Sequence, residues 1–147
     1  MDAGATLLGD GVDRMKNREL SDDYLLRAGH RLAAIEVLRE RESFADVVRE
    51  CQEVVELCLK AVLLKTHVEV PRLHDVSDVL NAERAKLPKE IQIHLPRVTQ
   101  ISKSLRRDRE LAFYGAMDVT PSQFYSKADA ETAFADARWI HELVLRN

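Results

Sequence analysis

Long apolar runs are missing from this sequence. None approaches the roughly 18 residues of a membrane-spanning helix, so no membrane span is expected. The first residues, with Asp2 among them, lack the basic start and apolar core of a signal peptide, so no export leader is expected. A strong charge of either sign is missing too. The formal net charge is −3, and any nucleic-acid contact would have to come from a local patch. There is no C-x-x-C, no H-E-x-x-H and no Glu-x-x-His pair of the di-iron bundle type, and the five histidines (His30, His67, His74, His94, His141) are scattered. No metal site and no cofactor is therefore expected. A nucleophile elbow and a phosphate-cradling glycine loop are also absent, since three of the five glycines (Gly4, Gly9, Gly11) fall in the first stretch of the chain. No segment shows the sustained alternation of a strand, and no repeat or low-complexity linker divides the chain.

Only two cysteines are present, Cys51 and Cys58, seven residues apart in an apolar helical pattern. That spacing puts them two turns apart, about 10.5 Å along the axis, beyond the ~7 Å that a disulfide tolerates between Cα atoms. They read as buried free thiols, and hence as a sign of a reducing, cytoplasmic location.

What is present is helical periodicity. The 147 residues, 46% hydrophobic and 32% charged, suit one soluble domain with one core. Residues 1–20 read as an N-terminal extension holding at most a short amphipathic helix. The first firm helix is expected to start at Ser21 as N-cap, with Asp22 and Asp23 in its first turn and Tyr24, Leu25, Ala28, Leu32, Ile35 and Leu38 inward. Ser43 and Asp46 suggest a capping box for the most apolar helix, whose face runs from Phe44 to Leu63. Glu56 and Lys60 stand at i, i+4 on it, and periodicity alone favours an exposed pair. After a break at Thr66–Pro71, His74-Asp75 opens a short helix. A long helical region follows from Pro88 to Leu111, with Pro96 expected to kink it. A loop of about ten residues then leads to a last helix capped by Ser126 and Asp129. The expected fold is all-α, an antiparallel up-down bundle of four main helices with short extra ones, spanning residues 21–147.

One stretch stands apart. Arg106-Arg-Asp-Arg-Glu-Leu-Ala-Phe-Tyr-Gly packs three arginines into four positions and ends on Tyr114 and Gly115. Two readings fit it. In one, the arginines lie at a helix C-terminus and favour its dipole and last carbonyls. In the other, the guanidiniums of Arg106, Arg107 and Arg109 grip phosphate, with Tyr114 giving a stacking face or hydroxyl.

Three stretches together resemble the HEPN domain family (higher eukaryotes and prokaryotes nucleotide-binding). The central helix resembles the family's through Gln52, Glu56, Lys60 and Ala61, and Pro71-Arg-Leu-His-Asp-Val resembles its short-helix start. The third is the arginine stretch, followed by the last helix from Ser126. The resemblance implies a two-fold homodimer and, in many members, a metal-independent endoribonuclease with the signature R-x4-6-H, often extended to a tyrosine. Such members are often toxins paired with a minimal nucleotidyltransferase. Here Arg107, Asp108 and Tyr114 match the signature, while Ala112 occupies the histidine position. Without an imidazole the acid–base step loses its natural carrier at neutral pH. No catalytic residue is therefore assigned, and the expectation leans away from an enzyme. It is instead a module that binds nucleotide or RNA phosphate through Arg106, Arg107, Arg109 and Tyr114, and that dimerises. A ribonuclease with a variant site and a purely structural adaptor are the alternatives. Under the same resemblance Glu56, Lys60, His74 and Asp75 are structural supports, with Glu56–Lys60 bracing the arginine helix.

Overall fold

The computed structural model describes the backbone of residues 3–114 and 119–147, and the side chains of residues 11, 14–108 and 119–147. Six helices follow in order: α1 (Ala3–Glu40), α2 (Phe44–Lys65), α3 (Ser77–Ala82), α4 (Lys89–Tyr114), α5 (Pro121–Phe124) and α6 (Lys127–Leu145), with one 3₁₀ turn (Arg84–Lys86) before α4. No sheet occurs among the described residues. The four long helices form the expected antiparallel bundle.

Helix α2 is its axis. Buried residues recur along it at steps of one, three and four, from Ala45 through Val54 and Val55 to Leu64. So broad an apolar arc cannot be covered by one neighbour. Helix α2 packs against α1, α6 and α4, whereas α1 and α4 occupy opposite corners with little direct contact. Five valines lie on α2 (Val47, Val48, Val54, Val55, Val62), a residue type that loses χ1 freedom in a helix. Burial in the bundle, rather than local propensity, holds this helix. Each fully buried Ile35, Leu59, Leu63 or Ile140 adds roughly 1.5–3 kcal/mol by leaving water. Both thiols are buried and free. Burial pushes Cys58 up to about 12 and raises Cys51 as well, so neither is a ready nucleophile.

Several local expectations change. Ser21 is not an N-cap, because α1 runs unbroken through it. Its side chain is buried, and its hydroxyl donates to the Ala61 carbonyl of α2 at 2.9 Å. A serine is small enough to let two helices approach, and its hydroxyl needs a partner once buried. Ser43 does mark the start of α2, yet no side-chain cap bond forms there. Its hydroxyl donates instead to the Asp46 carboxylate at 2.7 Å. Asp75, rather than His74, serves the start of α3, accepting from the Ser77 N–H at 2.9 Å. The loop before α6 contains a helical turn, α5, with Pro121 in its first turn and Gln123 accepting from the Thr120 N–H at 3.0 Å. Pro96 lies inside α4, and the helix continues past it. The side chain is exposed, so water can serve the carbonyl that lacks an N–H donor. At α6 the capping box of Ser126 and Asp129 is complete.

Replacing Ser21 tests whether it ties helices together or starts one. Ser21→Ala should cost about 1 kcal/mol, the worth of one buried hydrogen bond. In urea titrations the midpoint should fall at constant slope, and helix content by circular dichroism should stay unchanged.

Candidate functional site

Helix α4 carries the arginine stretch, and its length changes the meaning of that stretch. The helix continues to Tyr114, with no basic residue in its last turn. Arg106 and Arg107 thus lie about 10–12 Å before its end, while the pull of a helix terminus on a cation fades within one turn. Dipole capping does not explain them.

Arg107 is the most available of the pair. Its side chain is 74% exposed, with Nε donating to Asp108 Oδ1 at 3.2 Å and Nη2 to Ser104 Oγ at 3.4 Å. An exposed ion pair between chain neighbours contributes little to stability, so the guanidinium can exchange it for a stronger anion at small cost. Arg106 is half-buried. Arg109, Ala112 and Tyr114 continue the backbone of α4, but their side chains lie outside the described residues.

Beside Arg107 runs a cleft of about 250 Å³, lined also by Ser104, Asp108, Tyr125, Asp129 and Asp136. Sequence reading passed over Tyr125 as a loop residue. It is buried, and its hydroxyl donates to the Asp108 carbonyl at 2.9 Å, fastening the chain after α5 onto the arginine turn. Burial, with Asp108 and Asp129 nearby, pushes its phenol up to about 12, so it is a fixed donor at neutral pH. Asp136 also lines the cleft, its carboxyl raised above the ordinary range by burial although Arg97 opposes this. Three carboxylates against one guanidinium make the cleft interior unwelcoming to a phosphate dianion. The open approach to the Arg107 guanidinium is from its solvent side.

The histidines that flank the arginine stretch in sequence, His94 and His141, each have a partner in the bundle. His94 packs edge-on against Trp139 with ring centroids 5.3 Å apart. His141 is half-buried, with Nε2 lying 3.2 Å from the Leu25 carbonyl of α1. A Cβ on Gly29 would stand 3.6 Å from its ring, so α1 and α6 are already in close contact there.

A second polar cluster supports α4 from behind. Glu56 and Lys60 are not a surface pair, with side chains only 15% and 14% exposed and 3.0 Å between Oε2 and Nζ. Glu56 Oε1 also accepts from Gln52 Nε2 at 3.1 Å and lies 2.7 Å from His74 Nδ1. Gln52, itself buried, donates to the His74 carbonyl at 3.1 Å. The group therefore grips the segment between α2 and α3, and a second link runs on to α4. Asp75, next in sequence, makes that second link. Its Oδ1 accepts from Ser102 Oγ of α4 at 2.7 Å, and Lys103 Nζ stands 3.5 Å from Oδ2. The brace runs from α2 through His74-Asp75 to α4. Burial alone would raise the Glu56 carboxyl, but hydrogen bonds from His74, Lys60 and Gln52 overcome it and hold the group low. Asp75 is likewise held low, with Ser102, the Ser77 N–H and Lys103 outweighing burial.

The fold and site together define an all-α domain that presents an exposed arginine beside a helical brace. The HEPN domain model matches residues 21–147. The chain belongs to the HEPN domain family. Comparisons with curated proteins and with solved structures found no match. Among the described residues there is no group of side chains able to hold a metal ion, and no helix long and apolar enough to cross a membrane.

Removing Glu56 should be costly, because Lys60 would keep its burial and lose its partner. Glu56→Ala should destabilise by about 2–3 kcal/mol in urea titrations at neutral pH. The sign of the pH effect follows from the lowered pKa values. Carboxyls held low stabilise the fold fully above their unfolded pKa near about 4 and lose that contribution as pH falls through the folded values. Stability should thus decline below about pH 4, and Glu56→Gln should show a shallower decline over the same acid range.

Proposed function

We propose that this HEPN domain is a non-catalytic module that binds nucleotide or RNA phosphate through the arginine turn of α4 and works as a homodimer. The observation that supports this best is Arg107, 74% exposed and held only by its neighbour Asp108 and a long bond to Ser104, on a part of α4 where no helix end explains it. Arg106 and the sequence neighbours Arg109 and Tyr114 complete the proposed anion-binding set. A guanidinium offers paired N–H donors to phosphate oxygens. With alanine at position 112, phosphate can be held but the signature's place for a proton-carrying imidazole is empty. On the family relationship, a minimal nucleotidyltransferase is included as the protein partner.

Titration of labelled RNA and of ATP tests the reading. Arg107→Ala should weaken binding about 10- to 100-fold, the worth of a charge-assisted contact, and should lower the dependence of log K on log salt by about one. Arg107→Lys should fall between the two. Equal binding by wild type and Arg107→Ala, or none by either, would overturn the proposal. Metal-free incubation with RNA should leave the substrate intact. Cleavage by wild type that is lost in Arg107→Ala would establish the variant-site ribonuclease instead.

A further inference from the structure

The chain's one tryptophan, Trp139 of α6, is half-buried and flanked by two side chains of α4. His94 meets it edge-on. The Arg97 guanidinium stands over its ring, 3.8 Å from the centroid, close enough for flat stacking. Arg97 is nevertheless 51% exposed, with Asp136 Oδ1 at 3.7 Å from Nη2, beyond good hydrogen-bond length. A second arginine on α6 differs. Arg39 stands 4.2 Å over Phe134, but Glu36 and Glu131 each bind it at 2.7 Å. Arg39 is committed to the fold, whereas Arg97 keeps the side away from the indole open to solvent.

Arg97 also shares the outward face of α4 with Arg107. At 100° per residue, Lys89, Arg97 and Arg107 fall within about 80° of one another, and all three are exposed. Ile93, Gln100 and Ser104 lie between them on that face, and no carboxylate does. The acids at its edges are already paired: Asp108 with Arg107, Glu90 with Arg146 at 2.6 Å, and Asp78 with Lys103 at 3.0 Å. The two arginines are ten positions apart, about 15 Å along the helix.

We infer that Arg97 and Trp139 form a stacking platform for one base of a single-stranded RNA whose phosphate, a few nucleotides away, is held by Arg107. The inference rests on the phosphate-binding part of the proposed function and adds the form of the ligand, a strand rather than a mononucleotide. Bases stack on guanidinium planes as they do on aromatic rings. Trp139 backs the Arg97 guanidinium on one side, so an incoming base extends a stack that already exists and little side-chain freedom is lost on binding. The separation of the two arginines sets the length of the ligand. About 15 Å corresponds to four or five nucleotides of stacked strand at about 3.4 Å each. A nucleoside monophosphate holds its base and phosphate too close together to touch both places. The acid-free face between the arginines leaves the intervening phosphates unopposed, while Asp129 stays in the cleft on the α6 side.

Trp139 emission reports on the platform directly, because no other tryptophan contributes. Hexa-adenylate RNA should quench it on binding to the full chain, and AMP at the same concentration should not. Trp139→Leu, with circular dichroism to confirm the fold, should weaken hexa-adenylate binding about 10-fold, the worth of one stacked base. Trp139→Phe should recover most of the loss. Arg97→Lys, a change at an exposed position that keeps the charge and removes the plane, should weaken binding to a similar degree. In all three variants the slope of log K against log salt should stay at the wild-type value, since no phosphate contact is lost, in contrast to Arg107→Ala. Hexa-adenylate that binds without quenching, or binds Trp139→Leu and Arg97→Lys as tightly as wild type, would overturn the platform and leave phosphate binding at Arg107 standing. Quenching by AMP as strong as by the hexamer would overturn it too. A wild type that binds no RNA would overturn both readings.

Discussion

Helix α2 has more apolar surface than one neighbour can cover, and the rest of the bundle follows from that requirement. With buried side chains spread around most of its circumference, it needs α1, α6 and α4 on three sides. The arrangement separates α1 from α4 and leaves α4 an outward face of its own, which presents Arg107. A bundle whose helices each had a single narrow stripe would not need such a shared centre. The valine content of α2 shows the same dependence, because its helix is sustained by tertiary burial.

The polar interruptions of this apolar centre are what give the fold its register. A buried glutamine and a nearly buried Glu56–Lys60 pair are expensive to take from water unless each has partners. Gln52, Lys60 and His74 supply these for Glu56, and the geometry holds only if the segment before α3 lies where it does. That segment brings Asp75 to Ser102 of α4, about one turn before Arg106 along the helix. Tyr125 secures the next stretch by its bond to the Asp108 carbonyl. The exposed arginine is thus mobile only in its side chain, on a backbone anchored both before it and after it.

Much of this was legible in the residues, for reasons that differ from place to place. The four long helices follow from steps of three and four in apolar positions, a signal that burial enforces directly. The box at Ser126 and Asp129 was legible because a cap is a local device. Ser21 was misread because a serine before two aspartates has the same composition whether it starts a helix or lies inside one. Only the neighbouring carbonyl of Ala61 decides, and that is 40 residues away. Glu56 and Lys60 looked like a surface pair because i, i+4 spacing does not reveal what lies above it. Tyr125 and His141 act through backbone carbonyls distant in sequence, which no local pattern announces. The arginine stretch was legible as a feature but not in its setting, since the reading ended α4 near Leu111 and the helix continues to Tyr114.

That short continuation alters the argument about function more than its size suggests. Arginines in a last turn have a structural use, and their presence there says little about ligands. Two or three turns further in, that use is gone, and an exposed guanidinium paired only with its chain neighbour contributes almost nothing to the fold. Selection for stability would not maintain it. The cleft beside it narrows the possibilities again, because Asp108, Asp129 and Asp136 line its walls and an incoming phosphate would gain from Arg107 only on the solvent side. A ligand held there must be an extended or surface-lying anion, such as a nucleic-acid backbone or a nucleotide phosphate tail, rather than a small anion enclosed in a pocket. Binding of that kind is shallow and salt-sensitive.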